Sequence, residues 1–185
     1  GISTPILVLG GALEDGYKAL VQHNLTPAIF TLHHLKELHS AAGSSPKAFH
    51  LKLDTGMSRL GLYQPEITSF LELLSSYPNL KLEGVLTHFA NADQRDELAT
   101  TRQVHQFSQA IAQIESAGFK LQYKHVANSA GTLTLEPPPG NLMRVGLGLY
   151  GLDPVNPRSK HVLRPALEWK TSIVHIKELP ANTPV

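Results

Sequence analysis

The feature that most constrains this 185-residue chain is a repeated switch of hydrophobic period. Strand-like runs at 6–9, 28–31, 48–53, 82–89, 122–127 and 142–149 alternate with helix-like segments near 12–23, 33–42, 65–76 and 94–117. The last segment carries Leu98, Val104, Phe107, Ala110, Ile111 and Ile114 at helical spacing. The connection NSAGTLTLEPPPG is shorter and has room for one or two turns before its prolines end them. Regular β-then-α alternation predicts a parallel sheet joined by right-handed crossovers. A doubly wound sheet and a (β/α)8 barrel both satisfy it. Two observations favour the barrel: polar residues sit at the carboxyl ends of several strands, and GGALEDG lacks the G-x-G-x-x-G spacing of a dinucleotide turn. The expected fold is therefore α/β, a (β/α)8 barrel with six of its eight units visible.

Composition narrows the function classes. With 16 Lys and Arg against 15 Asp and Glu, there is neither a basic nucleic-acid-binding face nor an acidic tail. No apolar run reaches the roughly 18 residues a membrane span requires. Zero cysteines remove disulfides and thiolate metal sites and fit a cytoplasmic protein. His33, His34 and His39 lack metal-ligand spacing and read as a solvated helix face, so no metal is expected. SSPK at 44–47 fits an S-x-x-K pattern, but no K-T-G accompanies it and it reads as a loop. The texture changes after Pro154. Residues 1–153 are expected to form a partial barrel, 154–165 a linker, and 166–185 the beginning of a β-type domain. Apolar strand-like runs close to both ends lead us to expect a piece of a longer protein.

Four strand ends carry chemistry-bearing residues: KLDTGMSRLG, GVLTHFANAD, HVANSAG and RVGLGLYG. His50, Lys52 and Asp54 alternate with Leu51 and Leu53, which puts the polar three on one face. Buried charges are costly unless paired, so Lys52 and Asp54 have a plain reading as an ion pair. His88 alone reads as a core histidine, and Asn128 or Ser129 as a helix cap. Gly146 and Gly148 can simply permit close packing. Taken together they say more. On a sixth strand, Arg144, Gly146, Gly148 and Tyr150 would share a face, leaving a hollow of backbone N–H groups beside a fixed positive charge. The helix start after Asn128 offers further donors. Converging N–H groups suit a phosphate, so a phosphorylated ligand is expected.

In this order and context, the four segments closely resemble the alanine racemase family. The resemblance implies a pyridoxal 5'-phosphate enzyme on a (β/α)8 barrel with a C-terminal β-domain. It implies an isomerase that interconverts L- and D-alanine by two-base proton transfer, supplying D-alanine for peptidoglycan in the cytoplasm. It also implies a homodimer with shared active sites. Carried onto this chain, Arg59 would meet the substrate carboxylate and the cofactor's phenolic oxygen, and Lys52 matches a lysine that many members carbamylate. Arg144 would face the pyridine nitrogen. His88 would bridge Arg144 to the partner's catalytic tyrosine. Ser129 with the Gly146 and Leu147 amides would cup the phosphate, with Asn128 in the same motif. Asp54 and His125 would stand behind these groups in support. The family's Schiff-base lysine and opposing tyrosine match nothing here, so the chain is expected to be inactive alone. A non-catalytic cofactor-carrying barrel, a related decarboxylase and a binding domain that kept the cradle are the rival readings.

Overall fold

The computed structural model describes residues 1–184 apart from 14, 95, 96, 138 and 156–158. Among these described residues five strands and five α-helices alternate: β1 (Leu7–Val8), α1 (Gly16–Gln22), β2 (Thr26–Ile29), α2 (Leu32–Ala42), β3 (Lys47–Lys52), α3 (Ile67–Ser75), β4 (Leu80–Leu86), α4 (Glu97–Ser116), β5 (Tyr123–His125) and α5 (Ser129–Thr134). Local chemistry sets several boundaries. Thr31 caps α2 by accepting the His34 amide at 3.0 Å, and Gly43, at φ 57°, ends it. Ile67, Phe70, Leu71 and Leu74 give α3 one buried stripe.

Every strand pairs in parallel with its sequence neighbour, in the order β1-β2-β3-β4-β5. A doubly wound sheet would reverse that order at a switch point. Here the winding never reverses, the helices pack side by side in sequence, and the sheet curls into a half-barrel. The apolar core lies between sheet and helices, where Ile29, Phe49, Leu51, Leu82 and Val85 meet Leu38, Phe70, Phe107 and Ile114. The other face is polar, with buried His50, Lys52 and His125. No helix among the described residues is long and apolar enough to cross a membrane.

The β3–β4 ladder contains one irregularity. Phe49 pairs with Leu82 but His50 with Gly84, so β4 carries an extra residue at Glu83. As a result Glu83 and Gly84 both face His50, which unbroken alternation would forbid. The Glu83 carboxylate lies 3.9 Å from His50 Nε2, and a Cβ at position 84 would sit 2.8 Å from His50 Cε1.

Several expectations require correction. The sixth strand at 142–149 does not form. The Gly146 and Gly148 amides donate to the Ser129 hydroxyl instead of to a neighbouring strand, and Leu147–Tyr150 winds into a 3-10 turn. The shared face of Arg144, Gly146, Gly148 and Tyr150 is lost with it. Within 166–184 no strand forms among the described residues. Leu98 faces outward and is 70% exposed. Nor are the α2 histidines simply solvated: His34 packs edge-on against Phe30, while His39 stacks on Tyr77 and hydrogen-bonds Asn79 at 2.8 Å.

Candidate active site

The loops following β3, β4 and β5 and the segment after α5 border an open cavity of about 380 Å³. His88, Asn128, Ser129, Arg144, Gly146 and Leu147 line it. Arg144 is its electrostatic centre. Nη1 donates to His125 Nδ1 and to the His125 carbonyl, both at 3.0 Å. Nη2 donates to the Thr87 carbonyl at 2.6 Å, to His88 Nδ1 at 3.3 Å and to the Val126 carbonyl at 3.4 Å. The Nε–H has no partner among the described residues. Burial lowers the Arg144 pKa to about 10, which still leaves a cation at neutral pH. Burial first, and then the Arg144 charge, lower the His125 pKa to about 3 and that of His88 to about 4. Both imidazoles are neutral acceptors at neutral pH.

At another wall, Asn128 caps α5 by accepting the Gly131 amide at 2.9 Å. The Ser129 hydroxyl accepts from Gly146 N–H at 3.0 Å and from Gly148 N–H at 3.2 Å. A hydroxyl has two lone pairs and one hydrogen. With both lone pairs engaged, the Ser129 O–H can only donate, so it suits an anion. An added Cβ at Gly146 would meet nothing within 4 Å, so the chain there borders open space. This donor set fits a phosphorylated ligand with an aromatic nitrogen: an anion cradle on one wall and a donor-only cation on another.

The β3 end behaves differently from expectation. Asp54 turns away from Lys52 and accepts the Gly56 and Ser58 amides at 2.9 and 3.1 Å. Lys52 is buried and has no hydrogen bond or ion pair among the described residues. Burial, then the charges of Arg59 and Arg144, lower its pKa, and Asp54 opposes them only weakly. The loop from Leu53 to Leu62 closes on itself, with Asp54 N–H donating to the Leu62 carbonyl and Leu62 N–H to the Lys52 carbonyl. Gly61 sits at φ 146°, where a side chain would strike the backbone of Leu53 and Asp54. Arg59 rides exposed on this loop. It does not line the cavity, yet its charge reaches both Lys52 and His88.

Sequence reading missed Gln103. From α4 its amide donates to the Thr55 hydroxyl at 3.2 Å and to the His88 carbonyl at 2.9 Å, and accepts the Ala90 amide at 2.9 Å. Thr55 and Thr87 hydroxyls meet at 2.8 Å. Gln103 therefore ties the β3 and β4 loops together. The available signal was a glutamine on the buried stripe of Phe107, Ala110 and Ile114.

Residues 1–154 match the alanine racemase N-terminal domain. The alanine racemase of Halothermothrix orenii is 36% identical over 99% of this chain and 49% of its own length. That of Geobacter sulfurreducens is also 36% identical, over 100% of the chain and 50% of its own length. Among solved structures, the alanine racemase from Bacillus anthracis with bound L-Ala-P superposes with a TM-score of 0.83 at 32% identity, covering 89% of this chain and 44% of that one. The E. faecalis enzyme gives 0.81 at 32% identity over 89% and 45%. This chain spans about half the length of the curated relatives it matches. On residues 1–154, the chain belongs to the alanine racemase N-terminal domain family.

Proposed function

We propose that the full-length protein carrying this chain is a pyridoxal 5'-phosphate-dependent alanine racemase. It interconverts L- and D-alanine by two-base proton transfer at Cα and supplies D-alanine for peptidoglycan in the cytoplasm. It works as a homodimer whose subunits share active sites. The observation that carries the proposal is the pairing of an anion cradle at Ser129 with a donor-only cation at Arg144 across one cavity. When bound, the cofactor supplies an electron-withdrawing ring that acidifies the substrate's Cα–H.

The chain's own residues then have distinct tasks. The Ser129 O–H and the Leu147 amide would hold the phosphate, the Gly146 amide joining them only by leaving the Ser129 hydroxyl to which it donates here, with Asn128 fixing the helix start beneath them. Arg144 would face the ring nitrogen with a group that only donates and does not surrender its proton, which would leave that nitrogen unprotonated. His88 takes a hydrogen bond from Arg144 on Nδ1, which places its own hydrogen on Nε2, free to donate outward. Arg59, exposed outside the cavity lining here, would turn inward to hold the substrate carboxylate. Lys52, carbamylated, anchors Arg59. The described residues lining the cavity include neither lysine nor tyrosine, so residues 1–185 alone should not racemise alanine.

Purified full-length protein with cofactor should convert L-alanine to D-alanine, read by chiral chromatography. Arg144→Glu, which protonates the ring nitrogen, should slow this sharply and raise pyruvate formation by transamination. Arg144→Lys, which keeps the charge, controls for folding. A holoenzyme that releases CO2 from its substrate, or leaves alanine unchanged, would sink the proposal.

A further inference from the structure

The polar face of the sheet carries a hydrogen-bonded chain that none of the roles above uses. It begins where Arg144 Nη1 donates to His125 Nδ1 at 3.0 Å. A guanidinium accepts nothing, so His125 Nδ1 is bare of hydrogen. In a neutral imidazole the hydrogen then sits on Nε2, which lies 2.9 Å from His50 Nδ1. The same step repeats. His50 receives on Nδ1 and carries its hydrogen on Nε2, which points at the Glu83 carboxylate 3.9 Å away. That distance is an ion-pair separation, so Glu83 acts on His50 as a nearby negative charge. Moving either hydrogen to Nδ1 would set two N–H groups against each other. The chain therefore runs in one direction only.

Its surroundings are built for it. His50 and His125 are both buried. Tyr123 stacks on the His50 ring at 5.5 Å between centroids. Gly84 leaves the space the ring occupies, and the extra residue in β4 turns Glu83 towards it. On its exposed side Glu83 meets Lys81 at 3.5 Å.

We infer that His50 and Glu83 are positioning residues. Arg144 sets both tautomers from its end, the Glu83 charge polarises the chain from the other and makes His125 a stronger acceptor, and Arg144 is thereby anchored through Nη1 with its Nε–H left for the cavity. The inference rests on the proposed placement of Arg144 against the cofactor ring.

The test uses full-length holoenzyme with 15N-labelled histidine. At neutral pH both His50 and His125 should show hydrogen on Nε2 and a bare Nδ1. In Glu83→Leu, Arg144 should still hold both tautomers, but the 15N signals of His50 Nε2 and His125 Nδ1 should shift as the chain loses the charge at its far end. The variant's kcat should fall about tenfold, because Arg144 is held less firmly, while KM for alanine stays within about twofold. Glu83→Asp, which keeps the carboxylate charge, should restore the 15N shifts and most of kcat. Hydrogen on Nδ1 of either histidine in the wild type overturns the inference, and this measurement needs no variant to fold. Unchanged 15N shifts and kcat in Glu83→Leu overturn it equally. Should the holoenzyme show no racemase activity, the change in the His50 and His125 15N signals in Glu83→Leu alone decides: present, the anchor stands; absent, it falls.

Discussion

Lys52 is the residue whose surroundings are hardest to reconcile with an ordinary charged side chain. It is buried, Asp54 has turned to the loop amides, and the strongest charges facing it are two guanidiniums. Burial and those charges both favour the neutral amine. A neutral amine attacks CO2: an N–C bond forms, the nitrogen releases a proton, and the side chain becomes an anion between Arg59 and Arg144. The intact mass of the full-length protein, measured natively with bicarbonate present, should exceed the sequence mass by one CO2. Lys52→Ala should lack that increment and show a raised KM for alanine, because Arg59 is no longer held. Equal increments in both proteins would place the modification elsewhere. The alternation in HLKLD showed Lys52 and His50 sharing a polar face. It did not show Asp54 leaving that face, because an Asp two residues before a Gly has a local alternative in the loop amides.

At the scale of elements, the extra residue in β4 is the least visible feature and the most constraining. It brings Gly84 against His50 with no room to spare: a Cβ there would lie 2.8 Å from Cε1, 2.9 Å from Nδ1 and 2.9 Å from the Tyr123 Cβ. Gly84→Ala should lower stability by about 1–3 kcal/mol through overpacking, read as a reduced denaturant midpoint of the full-length protein. An unchanged midpoint would mean that His50 has space to retreat. LKLEGVL reads as a plain strand, since one inserted residue alters pairing without altering composition. The other strands and the helices α2, α3 and α4 were legible because their apolar periods are local properties. The expected strand at 142–149 failed for the opposite reason. A strand exists only through a partner, and the Gly146 and Gly148 amides find the Ser129 hydroxyl instead. Gln103 was hidden likewise: its importance lies in joining two loops distant in sequence.

Across the whole molecule, three imidazoles, two buried and one half-buried, respond to acid in the same sense. His125, His88 and His50 all have pKa values below the ordinary histidine value, to about 3 and about 4 for the first two. Above the unfolded value of about 6.5 they are neutral in both states. Below it the unfolded chain binds protons that the folded one refuses, so stability falls. The loss continues down to the folded values, at up to about 1.4 kcal/mol per pH unit for each histidine. The thermal midpoint of the full-length protein should drop between about pH 7 and about pH 5; a flat or rising midpoint would show these rings to be protonated in the native state. The unreversed strand order bears on how the molecule is made. Each strand bonds to the one synthesised just before it, so every β/α unit leaving the ribosome finds its template already in place. Arg144 emerges after all five strands. Its guanidinium meets His125, His88 and three carbonyls only once those walls stand, so the growing chain assembles a neutral frame first and receives its central charge last.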